Sequence, residues 1–261
     1  MQTQRPNESG FVRSADGVRI AFSSRGSGTP AVVFIHGGLA NRSFWKHQVD
    51  PLSARYRVVT LDLAGHGDSG LNRSTWSMAQ FARDVQAVAL ALDLPRVVLV
   101  GNSLGGVVAL EAAALMPGRV IAVIGVDTLQ DGTERGDPAE VRARAQAFAR
   151  DPAGACRAMI DMLFHPGAYP DLRAWAGQEM CATPASVVVP MLAGFEGYDM
   201  AGAFRRAGVP IRAINGDLFP TAVERNRTLE PTFDAIIMPR AGHYPMLEQP
   251  DAFNRALAGL I

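Results

Sequence analysis

Short apolar runs alternate along the chain with stretches of mixed polarity. Eight runs have the length and the β-branched content of strands, and Gly- or Pro-containing loops separate most of them. The predicted strands cover residues 11–14, 18–24, 31–36, 57–62, 96–100, 119–126, 210–215 and 233–238. The turn Asp16-Gly17 joins the first two as a hairpin. The run at 31–36 is continuously apolar, which is typical of a strand buried on both faces of a parallel sheet.

Helical periodicity appears between the strands. Residues 78–92 place their apolar side chains three and four positions apart, so one face of a helix is apolar. Further helices are predicted for residues 43–54, 104–116, 138–150, 153–164, 221–229 and 248–261. Alternating strands and helices predict an α/β fold with a doubly wound, mostly parallel sheet of eight strands. Right-handed crossovers then place helices on both faces of that sheet.

The alternation stops between the sixth and seventh strands. Residues 130–208 contain several prolines and many large apolar residues, and no strand is needed from them. We therefore expect a core formed by residues 1–129 and 209–261, with residues 130–208 forming a helical cap inserted after the sixth strand.

Composition narrows the class of partner. The chain has 261 residues, of which 48% are hydrophobic, and its net charge is zero. Nucleic acid and an anionic membrane surface are therefore not expected as partners. Residues 1–8 lack the apolar core of a secretory signal, and no run of residues is apolar enough to span a bilayer. We expect a cytoplasmic monomer or homodimer that acts on a small-molecule substrate.

Cofactor and metal chemistry are not indicated. Cys156 and Cys181 have neither metal-ligand nor redox spacing, and we expect two buried free thiols. His, Asp and Glu do not cluster at metal-ligand spacing. Glycine patterns of the Walker or dinucleotide-binding type do not occur. We therefore expect neither a metal nor a cofactor.

The segment Gly101-Asn102-Ser103-Leu104-Gly105 is a G-x-S-x-G sequence between a predicted strand and a predicted helix. In that setting the serine stands on a sharp turn, with its hydroxyl exposed at the edge of the sheet. The N–H groups of the following helix point toward negative charge that develops beside Ser103. An ordinary strand-to-helix turn with a solvated serine is the alternative interpretation of this segment alone.

Other polar residues also follow predicted strands. In an open parallel sheet the carboxyl ends of the strands meet at the ligand-binding edge. The residues placed there are Gly37, Gly38, Asp62, Ser103, Asp127, Asp217 and His243. The set contains a nucleophile, a base and acids in the chain order of a serine hydrolase.

Four motifs in this order resemble the α/β-hydrolase family over essentially the whole chain. They are His36-Gly37-Gly38, the segment Asp62 to Ser69, Gly101 to Gly106, and Gly242-His243 followed by Leu247-Glu248-Gln249-Pro250. The resemblance implies that Ser103 attacks the substrate, that His243 transfers the proton and that an acid orients His243. It also implies an oxyanion hole formed by the backbone N–H groups of Gly38 and Leu104.

The acid departs from the family pattern. Relatives usually carry it three residues after the glycine that ends the penultimate strand, and Phe219 occupies that position here. Asp217 lies two residues earlier, and Asp127 follows the strand after the nucleophile, where some relatives carry their acid. Asp127 is slightly favoured, and both remain candidates.

A serine nucleophile favours ester hydrolysis through an acyl-enzyme, and a carboxylesterase-like enzyme of class EC 3.1.1 is expected. The apolar cap indicates a hydrophobic substrate of small to medium size. No arginine stands out as a clamp for a substrate carboxylate, with Arg42 beside the oxyanion loop as the one alternative, and an uncharged ester is therefore expected. Two alternatives remain: a C–C bond hydrolase of aromatic degradation, which shares the Gly-Asn-Ser elbow, and a slow-turnover small-molecule receptor on the same fold.

Overall fold

The sheet has eight strands, mostly parallel, as the sequence predicts. A computed structural model describes residues 7–261. The strands are β1 (Glu8–Arg13), β2 (Arg19–Arg25), β3 (Ala31–Ile35), β4 (Arg57–Leu61), β5 (Val97–Asn102), β6 (Val120–Val126), β7 (Ile211–Gly216) and β8 (Asp234–Met238). Their order in the sheet is β1-β2-β4-β3-β5-β6-β7-β8. Strand β2 pairs antiparallel with both of its neighbours, and all other pairs are parallel.

Eleven α-helices occur in the described part of the chain. They are α1 (Lys46–Ser53), α2 (Met78–Ala91), α3 (Leu104–Leu115), α4 (Pro138–Arg150), α5 (Pro152–Met162), α6 (Pro170–Cys181), α7 (Ala185–Ala193), α8 (Met200–Ala207), α9 (Val223–Arg227), α10 (Pro245–Glu248) and α11 (Pro250–Ala258). The single helix expected over 248–261 is wrong at its start, because Pro250 begins a new helix there.

The register of the parallel strands brings the candidate residues to one edge. Ile35 pairs with Gly101, Asn102 with Val126, and Val126 with Ile214. Every residue of β3, β4 and β5 is buried, which explains why their sequences are mostly apolar, with Arg57, Thr60 and Asn102 as the polar exceptions. The loops that follow β3, β5, β6 and β7 therefore meet beside Ser103.

Helices α4 to α8 all lie between β6 and β7. Proline stands at the first position of α4, α5 and α6, where its missing N–H leaves no hydrogen bond unmade. This segment is bonded to the loop after β3: the Thr183 hydroxyl donates to the Leu39 carbonyl over 2.9 Å, and the Asn41 amide donates to Glu179 over 2.7 Å. The division into a core and a cap at residues 130 and 208 remains a proposal.

The expectation of two free thiols is wrong. Cys156 and Cys181 form a disulfide, with their Cα atoms 5.8 Å apart. The two residues lie 25 positions apart, and only the packing of α5 against α6 brings them within bonding range.

Within residues 7–261, no helix is both long and apolar enough to cross a membrane. The expectation that residues 1–8 carry no leader concerns mainly residues 1–6, which lie outside the described residues.

Candidate active site

Ser103 stands on the turn between β5 and α3, in a backbone conformation of positive φ, with φ 52° and ψ −121°. A non-glycine residue is strained there, and such strain is characteristic of functional sites. The turn is tight: a Cβ atom at Gly101 would collide with the backbone of Gly105. The backbone carbonyl of Ser103 accepts a hydrogen bond of 2.9 Å from the Thr128 hydroxyl. The main chain at the serine is thus fixed while its side chain is partly exposed.

His243 lies against Asp127. The His243 Nδ1 atom and the Asp127 Oδ2 atom are 2.6 Å apart, and the Asp127 side chain is completely buried. The other oxygen of Asp127 accepts the Gly216 N–H over 3.0 Å. A carboxylate at Nδ1 fixes the imidazole tautomer with its proton on that nitrogen. The Nε2 atom of His243 is then left to accept a proton.

Asp217 does not contact His243. One of its carboxylate oxygens is 2.6 Å from Nε2 of His165, and the other accepts the Arg240 N–H over 2.8 Å. The Arg240 N–H lowers the pKa of Asp217, and His165 adds to the effect. The structure therefore brings Asp127, and not Asp217, to the imidazole of His243.

The two predicted oxyanion donors are neighbours. Leu104 is the first residue of α3, and Gly38 lies in the loop after β3. A Cβ atom at Gly38 would stand 3.9 Å from the Leu104 Cβ and 3.2 Å from the Met191 methyl group. Met191 belongs to α7 and is buried. An apolar side chain from the segment between β6 and β7 therefore covers this part of the site.

Two buried histidines hold the loop that carries Gly38. The Nε2 atom of His66 accepts the Leu39 N–H over 3.3 Å, and the Nε2 atom of His36 accepts the Leu63 N–H over 2.9 Å. Burial lowers the pKa of His36 to about 4 and that of His66 to about 3, so both rings are neutral near pH 7. The two histidines thus join the loop after β3 to the loop after β4.

Arg42 is occupied by neighbouring carboxylates. Its guanidinium forms ion pairs with Asp62 and with Asp68, the latter over 2.6 Å. Asp62 also accepts the Asp68 N–H over 2.9 Å. These contacts close the loop after β4 and weigh against Arg42 as a clamp for a substrate carboxylate.

Three further residues support His243, and none of them has a role predicted from the sequence. The buried Glu248 carboxylate accepts the N–H groups of Gly242 and Tyr244, over 2.7 and 3.0 Å. The Asn102 amide donates to the His243 carbonyl over 3.0 Å, and the Leu163 carbonyl accepts the His243 N–H over 2.8 Å. Glu248 and Asn102 lie inside the quoted motifs, so their positions were a usable signal. For Leu163 the sequence offers no signal.

Comparison with known proteins agrees with this architecture. The model of the "Alpha/beta hydrolase family" matches residues 32–256. This chain belongs to the α/β-hydrolase family, as the sequence predicts.

Individual relatives vary in how much of each chain is matched. The chain is 33% identical to a pimeloyl-[acyl-carrier protein] methyl ester esterase of Methylococcus capsulatus, over 77% of this chain and 79% of the relative. It is 25% identical to a thermophilic esterase of Thermogutta terrifontis, whose structure superposes with a TM-score of 0.84 over 97% of both chains. An uncharacterized protein of Mycobacterium tuberculosis is 40% identical over 40% of this chain, a match that spans only 30% of the relative's own length.

Proposed function

We propose that this chain is a serine esterase that acts through an acyl-enzyme on Ser103. The observation that carries the proposal is the 2.6 Å contact between His243 and the buried Asp127, with Ser103 on the strained turn at the same edge of the sheet. Asp127 orients the imidazole and stabilises the imidazolium that forms during reaction.

The reaction follows from these positions. The Ser103 hydroxyl attacks the ester carbonyl while its proton passes to Nε2 of His243. The N–H groups of Gly38 and Leu104 bind the oxyanion of the tetrahedral intermediate, and the N-terminus of α3 adds its dipole. His243 then gives the proton to the leaving alcohol. A water molecule, deprotonated by His243, releases the acid and restores Ser103.

The surroundings support an uncharged, hydrophobic substrate of small to medium size. Met191 places a flexible apolar side chain beside the proposed oxyanion donors. Arg42, the candidate for binding a substrate carboxylate, is paired with two aspartates. Two relatives are described as esterases, and the one from Methylococcus capsulatus is described as acting on a methyl ester. We also propose a cytoplasmic location and a monomer or homodimer, as expected from the sequence.

The test is hydrolysis of a series of p-nitrophenyl esters by the wild type and by Ser103→Ala. We expect steady turnover of short apolar esters and a loss of about 10⁶-fold in kcat in the variant. Ser186→Ala is the matched control, because Ser186 is an exposed serine on α7, and its kcat should be unchanged.

Two outcomes would contradict an esterase. Cleavage of vinylogous diketone acids with little ester turnover would indicate a C–C bond hydrolase. Tight binding of a ligand that raises the melting temperature without turnover would indicate a receptor.

A further inference from the structure

The main chain of His243 is bonded from outside the sheet. Its N–H donates over 2.8 Å to the carbonyl of Leu163, the residue that follows α5. The backbones of Leu163 and Gly242 approach each other so closely that a Cβ atom at Gly242 would stand only 2.6 Å from the Leu163 carbonyl oxygen. A segment between β6 and β7 thus contacts the residue that is proposed to transfer the proton.

The two residues after Leu163 extend this contact. The buried ring of Phe164 lies 5.6 Å from that of Tyr244, the residue after His243. His165 bonds to Asp217, beyond the end of β7. Three consecutive residues therefore bind the loops around His243.

The C-terminal end of α6 also contacts Tyr244. The Tyr244 hydroxyl is 3.0 Å from the sulfur of Met180, and both residues are buried. We call the segment from Pro152 to Cys181, which contains α5 and α6, the α5–α6 hairpin. It contacts Tyr244 both at its connecting loop and near its end.

The disulfide closes this hairpin. Cys156 lies in α5 and Cys181 ends α6, so the covalent loop between them contains Leu163, Phe164 and Met180. The sulfur bridge restricts how far the two helices separate, and hence how far the hairpin moves from Tyr244. Cys156 is buried, whereas Cys181 is exposed.

We propose that the Cys156–Cys181 disulfide keeps the α5–α6 hairpin in position to orient His243, so that turnover depends on the redox state of this bond. The proposal rests on the proposed role of His243. Disulfides are rare in the cytoplasm, where those present are typically redox-sensing or catalytic. In the proposed cytoplasmic location, cellular reductants can therefore reduce this disulfide.

The redox step is a thiol–disulfide exchange with a dithiol. A thiolate of the dithiol attacks the sulfur of Cys181, the exposed residue of the pair, the S–S bond breaks, and Cys156 leaves as a thiolate that takes up a proton. The second thiol of the dithiol then displaces Cys181 and completes its own disulfide. Two electrons pass to the protein, which gains two thiols.

The experiment compares the oxidised protein with protein reduced by dithiothreitol, with thiols counted by a colorimetric reagent. We expect two additional thiols on reduction, a fall of about tenfold or more in kcat from misplacement of His243, and little change in KM. Reoxidation should restore kcat. The double variant Cys156→Ser/Cys181→Ser should have the kcat of the reduced wild type and should not respond to dithiothreitol.

Gly242→Ala is the second variant, because its methyl group separates the Leu163 carbonyl from the His243 loop while the disulfide stays intact. We expect a low kcat in the oxidised variant and only a small further loss on reduction. Equal kcat in the oxidised and fully reduced wild type would overturn the proposal. A loss that follows global unfolding, measured by circular dichroism, would also overturn it. If Ser103→Ala is inactive while reduction has no effect, only the redox proposal fails; if Ser103→Ala stays active, the esterase proposal fails.

Discussion

Four hydrogen bonds hold the main chain around His243. Glu248 accepts two of them, from Gly242 and Tyr244, while Asn102 and Leu163 bond the carbonyl and the N–H of His243 itself. In the proposed reaction the imidazole serves both Ser103 and a leaving group, and it needs a fixed position because small displacements of reacting groups reduce rates strongly. These contacts supply that position.

Glu248 is the first of these contacts to test. Glu248→Gln replaces one acceptor oxygen by an NH₂ group, so either the Gly242 or the Tyr244 N–H loses its partner. We expect kcat to fall by about tenfold or more and the free energy of unfolding to fall by about 1–3 kcal/mol. Ester hydrolysis and urea unfolding measure the two effects.

The control for Glu248→Gln is Glu224→Gln, which alters an exposed ion pair with Arg227 and should change stability by less than about 1 kcal/mol. Wild-type kcat in Glu248→Gln would show that the carboxylate does not position His243.

At the residue scale the sequence identified the candidate nucleophile and base but left two acids open. Ser103 and His243 belong to local motifs, which a sequence displays directly. The partner of His243 depends on which loop reaches the imidazole in the folded chain. In the structure that partner is Asp127. Asp217 lies directly after β7, close to the position where relatives usually carry the acid, yet its side chain bonds His165 and the Arg240 N–H.

Among the elements, α7 contributes most directly to the surroundings of the proposed oxyanion hole. Its buried Met191 lies against the position of Gly38, and its Val187 approaches Gly65 in the loop after β4. The helix therefore packs on the two loops that border the site. We expect the side chains of α7 to influence which acyl groups fit.

Met191→Ala tests this expectation. Removing the side chain enlarges the space beside Gly38, so kcat/KM for esters with a bulkier acyl group should rise relative to acetates, by about tenfold. A panel of acyl p-nitrophenyl esters measures the ratio. Met162→Ala is the control, because Met162 is 56% exposed and should leave the ratio unchanged. An unchanged ratio in Met191→Ala would remove α7 from the acyl site.

The helices between β6 and β7 were the elements least accessible to sequence reasoning. The sequence predicts α4 and α5, over residues 138–150 and 153–164, but none of α6, α7 and α8, because prolines punctuate the stretch that contains them. The disulfide was missed because its formation depends on the packing of α5 against α6. The central strands β3, β4 and β5 were accessible because each is a short, mostly apolar run rich in β-branched residues, which suits a strand buried on both faces of the sheet.

For the whole molecule, the buried neutral His36 and His66 link folding to pH. An unfolded histidine binds a proton near pH 6.5, whereas these two hold their neutral form down to about pH 4 and about pH 3. Below pH 6.5 the unfolded state therefore binds protons that the folded state does not. The protein's free energy of unfolding should therefore fall as the pH is lowered toward 4. At pH 4.5 the loss should be about 2 kcal/mol for each histidine.

Urea unfolding of the wild type and of His66→Gln between pH 7 and pH 4.5 measures this linkage. The variant lacks one titrating ring, so its free energy of unfolding should fall less steeply as the pH is lowered. The slope against pH should be smaller by the contribution of about one bound proton. His47→Gln, at an exposed histidine, should keep the wild-type slope. Parallel slopes for the wild type and His66→Gln would contradict the neutral buried ring.

We propose that Ser103, activated by His243 and Asp127, is the nucleophile. The most direct measurement is the rate of labelling by a fluorophosphonate, with the adduct located by mass spectrometry, in the wild type, Asp127→Asn and Asp217→Asn. We expect the adduct on Ser103. Labelling of Asp127→Asn should be slower by orders of magnitude, approaching the roughly 10⁴-fold effect of the same change in a well-studied triad. The labelling rate of Asp217→Asn should lie within a few-fold of the wild-type rate. An adduct elsewhere, or a loss in Asp217→Asn that matches or exceeds that in Asp127→Asn, would contradict the account.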